Sequence, residues 1–262
     1  MPVQVNPTTL HLLPPVPVLI AGNQKCGSSA LHTMLAHHTQ LTPPRTRKEL
    51  HFFDHIDELK THQLLKYGLE WPVQAAFDGT LRFESTPIYL WWKNAQGRTS
   101  MVLIRAYNPQ IKLILLFRDP VGRAFSNWNM LVQKGKCALS FPEAIQKELE
   151  QEEGVVDRHL SFLSRGRYDV LAQRALELFP REQLLFVLQE NLRDEPEATL
   201  NRIQRFLKVT PEALPLRHAH SRNYATSMDE AIRTRLSEHF RSSSLRFGEL
   251  TGCDLGVWPS MA

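Results

Sequence analysis

Cysteine is scarce in this chain, with three residues (Cys26, Cys137 and Cys253) among 262, an odd count with no metal-ligand spacing. That scarcity excludes a disulfide framework and a zinc ribbon, and it points to reduced thiols and a cytoplasmic setting. Long apolar runs are absent too. The longest apolar stretch near the N-terminus is far too short to span a bilayer, and no basic leader region precedes it. The expectation is a soluble, non-secreted protein without a transmembrane segment, either free-standing or a domain of a larger multidomain protein. Internal repeats, low-complexity tracts and linkers are missing, which excludes solenoids and arrays. No nucleic-acid-binding motif occurs and the basic residues are scattered, so nucleic acid is not an expected partner. Charge of one sign is also lacking: 31 Lys+Arg against 27 Asp+Glu leave +4, a mild surplus suited to an anionic ligand.

What is present is enough for a sizeable core. With 42% hydrophobic and 22% charged residues, residues 1–262 read as one α/β domain, entered through an extended lead-in at 1–15. Strands are expected at 16–21, 80–84, 112–117 and 184–188 from short apolar, β-branched runs. Helices are expected at 28–38, 58–71, 96–107, 140–153, 168–179, 195–207 and 228–240, with further helical stretches opening after Ser85-Thr86-Pro87 and at Pro120. Residues 39–44 read as a proline-stopped loop. Strands alternating with helices imply a central, mainly parallel sheet flanked by helices, with ligands at the carboxyl ends of its strands.

The informative stretch lies at the end of the first strand. The chain breaks at Gly22, crosses a small-residue loop carrying Lys25, and restarts as a helix at Ser28. Loop amides and first-turn N–H groups there point at one spot, where the helix dipole favours negative charge. The spacing separates this loop from a nucleotide-hydrolysing P-loop. Gly22 and Gly27 keep the four-residue gap, but Ser28 stands where the lysine belongs and Lys25 lies inside the loop. The bland alternative is a tight structural turn with a solvated lysine.

Two further groups carry chemistry. Glu49 and His51, two residues apart in an extended chain, would share a side and could take a proton from an acceptor hydroxyl, with Asp54 orienting His51. Alternatively both are surface groups beside a core Phe52-Phe53. Arg118, at the end of an apolar strand, and Ser126, on the following helix, suit a terminal phosphate. The alternative there is a salt bridge from Arg118 to Asp119. Trp91, Trp92 and Trp128 fit either an acceptor cleft or the core, with at least one expected in the core.

In combination these segments resemble the sulfotransferase family. Lys25-Cys26-Gly27-Ser28-Ser29 resembles its Lys-x-Gly-Thr-Thr loop. Lys48-Glu49-Leu50-His51-Phe52-Phe53-Asp54 resembles the Lys-Glu-x-His-Phe-Phe-Asp segment of the heparan-sulfate type. Arg118-Asp119-Pro120 with Arg123 and Ser126 resembles the stretch that binds a 3′-phosphate. Gly166-Arg167-Tyr168 and Phe179-Pro180 through Leu184 are similar to softer family segments. Ser221-Arg222-Asn223-Tyr224 falls where the family has a basic loop closing over the nucleotide, without its usual Lys/Arg-Gly pair. The disulfide carried by heparan-type enzymes has no counterpart near Cys253.

The resemblance implies a P-loop NTPase-like three-layer fold and 3′-phosphoadenosine 5′-phosphosulfate as co-substrate, with no metal required. It places Lys25, Cys26, Gly27, Ser28, Ser29 and Ala30 around the 5′-phosphosulfate and Arg118 and Ser126 on the 3′-phosphate. Tyr168, Arg222 and Asn223 would line or close the nucleotide pocket. Lys25, Glu49, His51 and Asp54 would be catalytic, with Glu49 as base toward an acceptor hydroxyl on a saccharide, lipid, metabolite or carrier-bound chain. The rival readings are a P-loop nucleotide kinase or NTPase, weakened by the displaced lysine, and a catalytically silent anion-binding module.

Overall fold

The computed structural model describes residues 13–94, 96–151, 157, 160–216 and 227–261. Five parallel strands form one sheet in the order β2-β3-β1-β4-β5. They are β1 (Val18–Ile20), β2 (Leu41–Thr42), β3 (Leu81–Glu84), β4 (Lys112–Phe117) and β5 (Leu184–Leu188). Strand side chains alternate between two buried faces, which is why the strands read as continuous apolar runs. Leu19, Leu113, Leu115, Phe117, Leu184, Phe186 and Leu188 face one core. Val18, Ile20, Ile114, Leu116 and Val187 face the other. A third cluster, around Phe125, Phe141, Phe162 and Phe240, lies away from the sheet.

The helices cover both faces. They are α1 (Ser28–Leu35), α2 (Thr61–Gly68), α3 (Ser100–Tyr107), α4 (Pro120–Gln133), α5 (Phe141–Leu149), α6 (Tyr168–Leu178), α7 (Gln189–Asp194), α8 (Pro196–Leu207) and α9 (Glu230–Thr251). Leu31, Met34 and Leu35 of α1 and Leu200, Ile203 and Leu207 of α8 pack with the second face. Leu103 and Ile104 of α3, Leu171 and Ala175 of α6 and Phe247 of α9 pack with the first.

Several expected boundaries move, each for a local reason. The 39–44 loop contains β2, whose two residues pair with Leu81 and Arg82 of β3. The 96–107 helix begins only at Ser100, because Thr99 caps it by accepting from the Val102 N–H. The 140–153 helix begins after Ser140, which forms a capping box with Glu143. The last helix runs past 240 to Thr251 and stops where Gly252 turns left-handed, φ 72°. After Thr86 the chain makes a 3₁₀ turn, Pro87–Leu90, rather than a full helix. Of the lead-in, Pro14 and Pro15 offer carbonyls to the Arg82 guanidinium. Among the described residues no helix is long and apolar enough to cross a membrane.

Candidate active site

The loop after β1 sits against β4 through backbone bonds from Ala21 N–H to the Ile114 carbonyl (3.1 Å) and from Asn23 N–H to the Leu116 carbonyl (2.9 Å). That approach requires Gly22, where a Cβ would stand 1.9 Å from the Leu116 nitrogen. Lys25 and Gly27 both adopt left-handed backbone, φ 71° and 89°. Gly27 then caps α1 with no side-chain hydrogen bond, and no acidic residue lies in the first turn. The first amides of α1, at Ser28, Ser29 and Ala30, therefore keep their capacity to bind an anion. The Cys26 side chain points inward instead. Its thiol is fully buried and pushed up to about 12 by burial, so it stays neutral.

The segment following β2 brings the second group onto this cradle. Lys48 Nζ donates to Ser28 Oγ (3.1 Å), Ser29 Oγ (3.0 Å) and Glu49 Oε1 (2.8 Å). Glu49 Oε2 lies 3.4 Å from His51 Nε2, and His51 Nδ1 lies 3.0 Å from Asp54 Oδ2. The juxtaposition of Glu49 and His51 does not come from extended chain, since His51 is left-handed with φ 55°. Burial raises the Glu49 carboxyl, but its contacts with His51 and Lys48 outweigh that and hold it at about 2. Hydrogen bonds to Asp54 and then Glu49 outweigh burial at His51 and lift it to about 9. At neutral pH the Glu49 carboxylate and the His51 imidazolium thus face each other as an ion pair, with Lys48 against the first and Asp54 against the second.

A buried hub below β3 holds this segment in place. Glu84, fully buried, accepts from the Leu50 N–H (3.2 Å), the Tyr67 hydroxyl (2.5 Å), the Tyr89 hydroxyl (2.9 Å) and the Thr86 hydroxyl. The Tyr89 oxygen in turn accepts from the Phe52 N–H at 2.8 Å. Burial raises the pKa of Glu84 against those bonds. Beside the hub, His32 of α1 shares a 2.8 Å hydrogen bond with Ser85. Burial, and then the Lys48 charge, push its imidazole down to about 4, so it is neutral.

At the end of β4, Arg118 and α4 form the third group. Both Asp119 oxygens accept from amides, Oδ1 from Gly122 (2.8 Å) and Oδ2 from Ser260 (2.8 Å). A Cβ at Gly122 would stand 3.5 Å from an Arg118 Nη, so the guanidinium lies across the first turn of α4. Ser126 is buried on the same helix. The Tyr168 hydroxyl donates to the Arg118 carbonyl at 2.9 Å from within an aromatic cluster. Tyr168 is fully buried, so it touches the site through the Arg118 backbone. Arg222 and Asn223 lie outside the described residues.

Four participants escape a sequence reading. Lys48 was visible only as a letter in a motif, although it joins the cradle hydroxyls to Glu49. His32 and Glu84 looked like ordinary helix and strand residues. Arg165 lies 4.1 Å above the Trp91 ring and donates to Gln24 Oε1 (2.5 Å) in the cradle loop. Of the tryptophans, Trp91 is buried under that arginine, and Trp128 packs with Phe125 and Phe141 while donating to the Leu139 carbonyl.

A parallel sheet with an anion cradle after its first strand defines the P-loop-like α/β class. The sulfotransferase domain family model matches residues 15–248, and the chain belongs to that family. Human heparan sulfate glucosamine 3-O-sulfotransferase 3B1 is 28% identical over 265 residues, covering 91% of this chain and 64% of the relative. The mouse 3A1 enzyme is 31% identical over 192 residues, covering 72% of this chain and 44% of the relative. The chain thus spans less than two thirds of either relative. A solved sulfotransferase from Alicyclobacillus acidocaldarius superposes with a TM-score of 0.73 at 26% identity, covering 94% of this chain and 98% of that one. The sulfotransferase domain from the curacin biosynthetic pathway shares the fold at TM-score 0.53 and 16% identity, covering 92% and 99% of the two chains.

Proposed function

We propose that residues 1–262 form one sulfotransferase domain that moves a sulfuryl group from 3′-phosphoadenosine 5′-phosphosulfate to an acceptor hydroxyl. The observation that carries this reading is the Lys48 ammonium, which touches Ser28 and Ser29 on the cradle and Glu49 on the other side. An anion-binding site and a carboxylate base in contact through one cation suit in-line transfer between a bound donor and a bound alcohol. The amides of Gly27, Ser28, Ser29 and Ala30, with the Cys26 backbone, hold the 5′-phosphosulfate. Lys25 neutralises the bridging oxygen as the S–O bond to the nucleotide breaks. Glu49 receives the acceptor proton as the new O–S bond forms, and the product nucleotide is adenosine 3′,5′-bisphosphate.

A carboxylate held at about 2 is a weak base. The His51 hydrogen bond is the larger cause of that lowering and Lys48 the next; in this reading the donor's sulfuryl oxygens draw Lys48 away, which raises the Glu49 carboxyl part of the way in the loaded site. His51 and Asp54 keep Glu49 oriented. Arg118 and Ser126 grip the 3′-phosphate, and Tyr168 steadies Arg118. The acceptor class stays at the level of a hydroxyl. The names of the heparan sulfate relatives favour a saccharide, while the three free thiols favour a reducing, cytoplasmic compartment.

The test is calorimetric titration of adenosine 3′,5′-bisphosphate in EDTA into wild type and Arg118→Ala. Binding should survive EDTA and weaken in the variant by about 1.5–3 kcal/mol, the scale of a lost charged hydrogen bond. No binding to either protein in EDTA, with ATP binding in Mg²⁺, would replace this reading with the kinase one.

A further inference from the structure

Three metal-ligating side chains stand together at the edge of this site. Donor atoms of His51, Asp54 and His55 all lie within 4.8 Å of one another. His51 Nδ1 is 3.0 Å, and His55 Nε2 3.8 Å, from the same oxygen, Asp54 Oδ2. The two imidazoles stack with centroids 5.6 Å apart and planes 20° from parallel. The Asp54 side chain is fully buried, whereas those of His51 and His55 are 30% and 60% exposed. An anionic donor therefore sits at the floor, and two imidazoles flank it at a mouth open to solvent. The turn carrying them is fixed by the backbone. His55 N–H donates to the Phe52 carbonyl (3.2 Å), Phe52 N–H to Tyr89, and Ser100 Oγ to the Phe53 carbonyl (2.9 Å).

We propose that His51, Asp54 and His55 bind a divalent transition-metal ion of the zinc type, and that filling this site disables Glu49. Two imidazoles and one carboxylate suit zinc, copper or nickel, whereas magnesium and calcium call for oxygen ligands. Zinc bonds of about 2.0–2.1 Å in a tetrahedron place donors roughly 3.3–3.5 Å apart. The observed separations of 3.0 and 3.8 Å from Asp54 Oδ2 bracket that value, and the near-parallel rings turn to aim both in-plane lone pairs at one ion. The fourth position is left to water. A metal on His51 Nδ1 displaces the proton there into solvent and replaces the hydrogen bond to Asp54, so the ring turns toward the ion. Its Nε2–H, 3.4 Å from Glu49 Oε2, turns with it, and Glu49 loses the orientation that the Asp54–His51 pair gave it. The metal site stands on donor geometry alone, while its effect on transfer rests on the function proposed above.

The experiment titrates Zn²⁺ into EDTA-stripped wild type and His55→Ala by calorimetry. Co²⁺ absorption, binding of adenosine 3′,5′-bisphosphate and sulfuryl transfer are read on the same samples. Wild type should bind one ion per chain, and His55→Ala should bind it at least about tenfold more weakly. Cobalt should give the visible bands of a four-coordinate site without a thiolate band. Zinc should inhibit wild-type transfer, EDTA should restore it, and His55→Ala should keep its basal rate while resisting zinc. Bisphosphate binding should not change. Equal zinc affinity in the two proteins, or a cobalt–thiolate band, overturns the site. Zinc bound at the trio with transfer undiminished overturns the inhibitory role. A metal-free protein that binds the bisphosphate but transfers to no acceptor removes the proposed reaction, and the inhibition with it, while calorimetry still decides the site.

Discussion

The Lys48 ammonium acts on both Glu49 and His32, in opposite senses. For Glu49 it adds to the His51 hydrogen bond and favours the ionised carboxylate. For His32 it adds to burial and favours the neutral imidazole. Glu49→Gln keeps the shape and removes the proton acceptor. Transfer should fall by about 10²–10⁴-fold, the range for loss of a general base. Bisphosphate affinity, measured on the same variant, should stay within a factor of a few. Undiminished transfer in Glu49→Gln would move the base elsewhere. His32 makes a different prediction, about stability. Its folded pKa of about 4 lies below the ordinary value of 6.5, so between these values the unfolded chain binds more protons than the native one. Stability therefore rises with pH across that window and is lost as pH falls from 6.5 toward 4. Urea denaturation of wild type and His32→Asn at several pH values checks this, and the variant should show a shallower slope between pH 4 and 6.5. An unchanged slope would mean that His32 is not the group responsible.

Elements explain why some of this was legible in the sequence and some was not. The strands of the sheet interior were readable because burial on both faces leaves only apolar letters, as in Lys112–Phe117. The edge strand β2 was not, because two residues beside a double proline carry no period. The cradle was readable from glycine positions with a physical meaning, and the Glu49 segment from its likeness to a family motif. The Glu84 hub was invisible, since a carboxylate that binds a backbone amide and three hydroxyls has no local pattern. Its role belongs to the elements it joins: β3, the turn after it, α2 and the 49–54 segment. Glu84→Gln retains the volume but replaces an acceptor oxygen with a donor amide facing donor hydroxyls. The 49–54 segment should loosen, lowering kcat while leaving bisphosphate affinity within a factor of a few. A mere loss of stability would instead lower both in proportion to the unfolded fraction. Equal loss of kcat and bisphosphate binding would place Glu84 outside base positioning.

Across the whole molecule, the carboxyl ends of the parallel strands lie at one edge of the sheet, and the segment after α9 ties together the stretches that follow β4 and β5. Trp258 Nε1 donates to Glu190 Oε2 (3.1 Å) after β5, and the Ser260 amide to Asp119 (2.8 Å) after β4. A nucleotide gripped at its 5′ end by the cradle and at its 3′ end by Arg118 and Ser126 would join β1 to β4 across that edge. It would bind the native chain and not the unfolded one, so mass action gives about 2.7 kcal/mol of stabilisation at a hundredfold excess over Kd. For a domain of this size that corresponds to a rise in Tm of about 5–10 °C. Thermal unfolding in EDTA should show that rise with adenosine 3′,5′-bisphosphate. Adenosine 5′-monophosphate should need a far higher concentration, because it fills the cradle and leaves Arg118 without its phosphate. In Arg118→Ala the two nucleotides should become nearly equivalent, since the group that tells them apart is gone. Equal shifts from both nucleotides in the wild type would mean that the site reads only the 5′ end. Arg118 would then be a fold residue, and the choice of a 3′-phosphorylated donor would have to come from elsewhere in the chain.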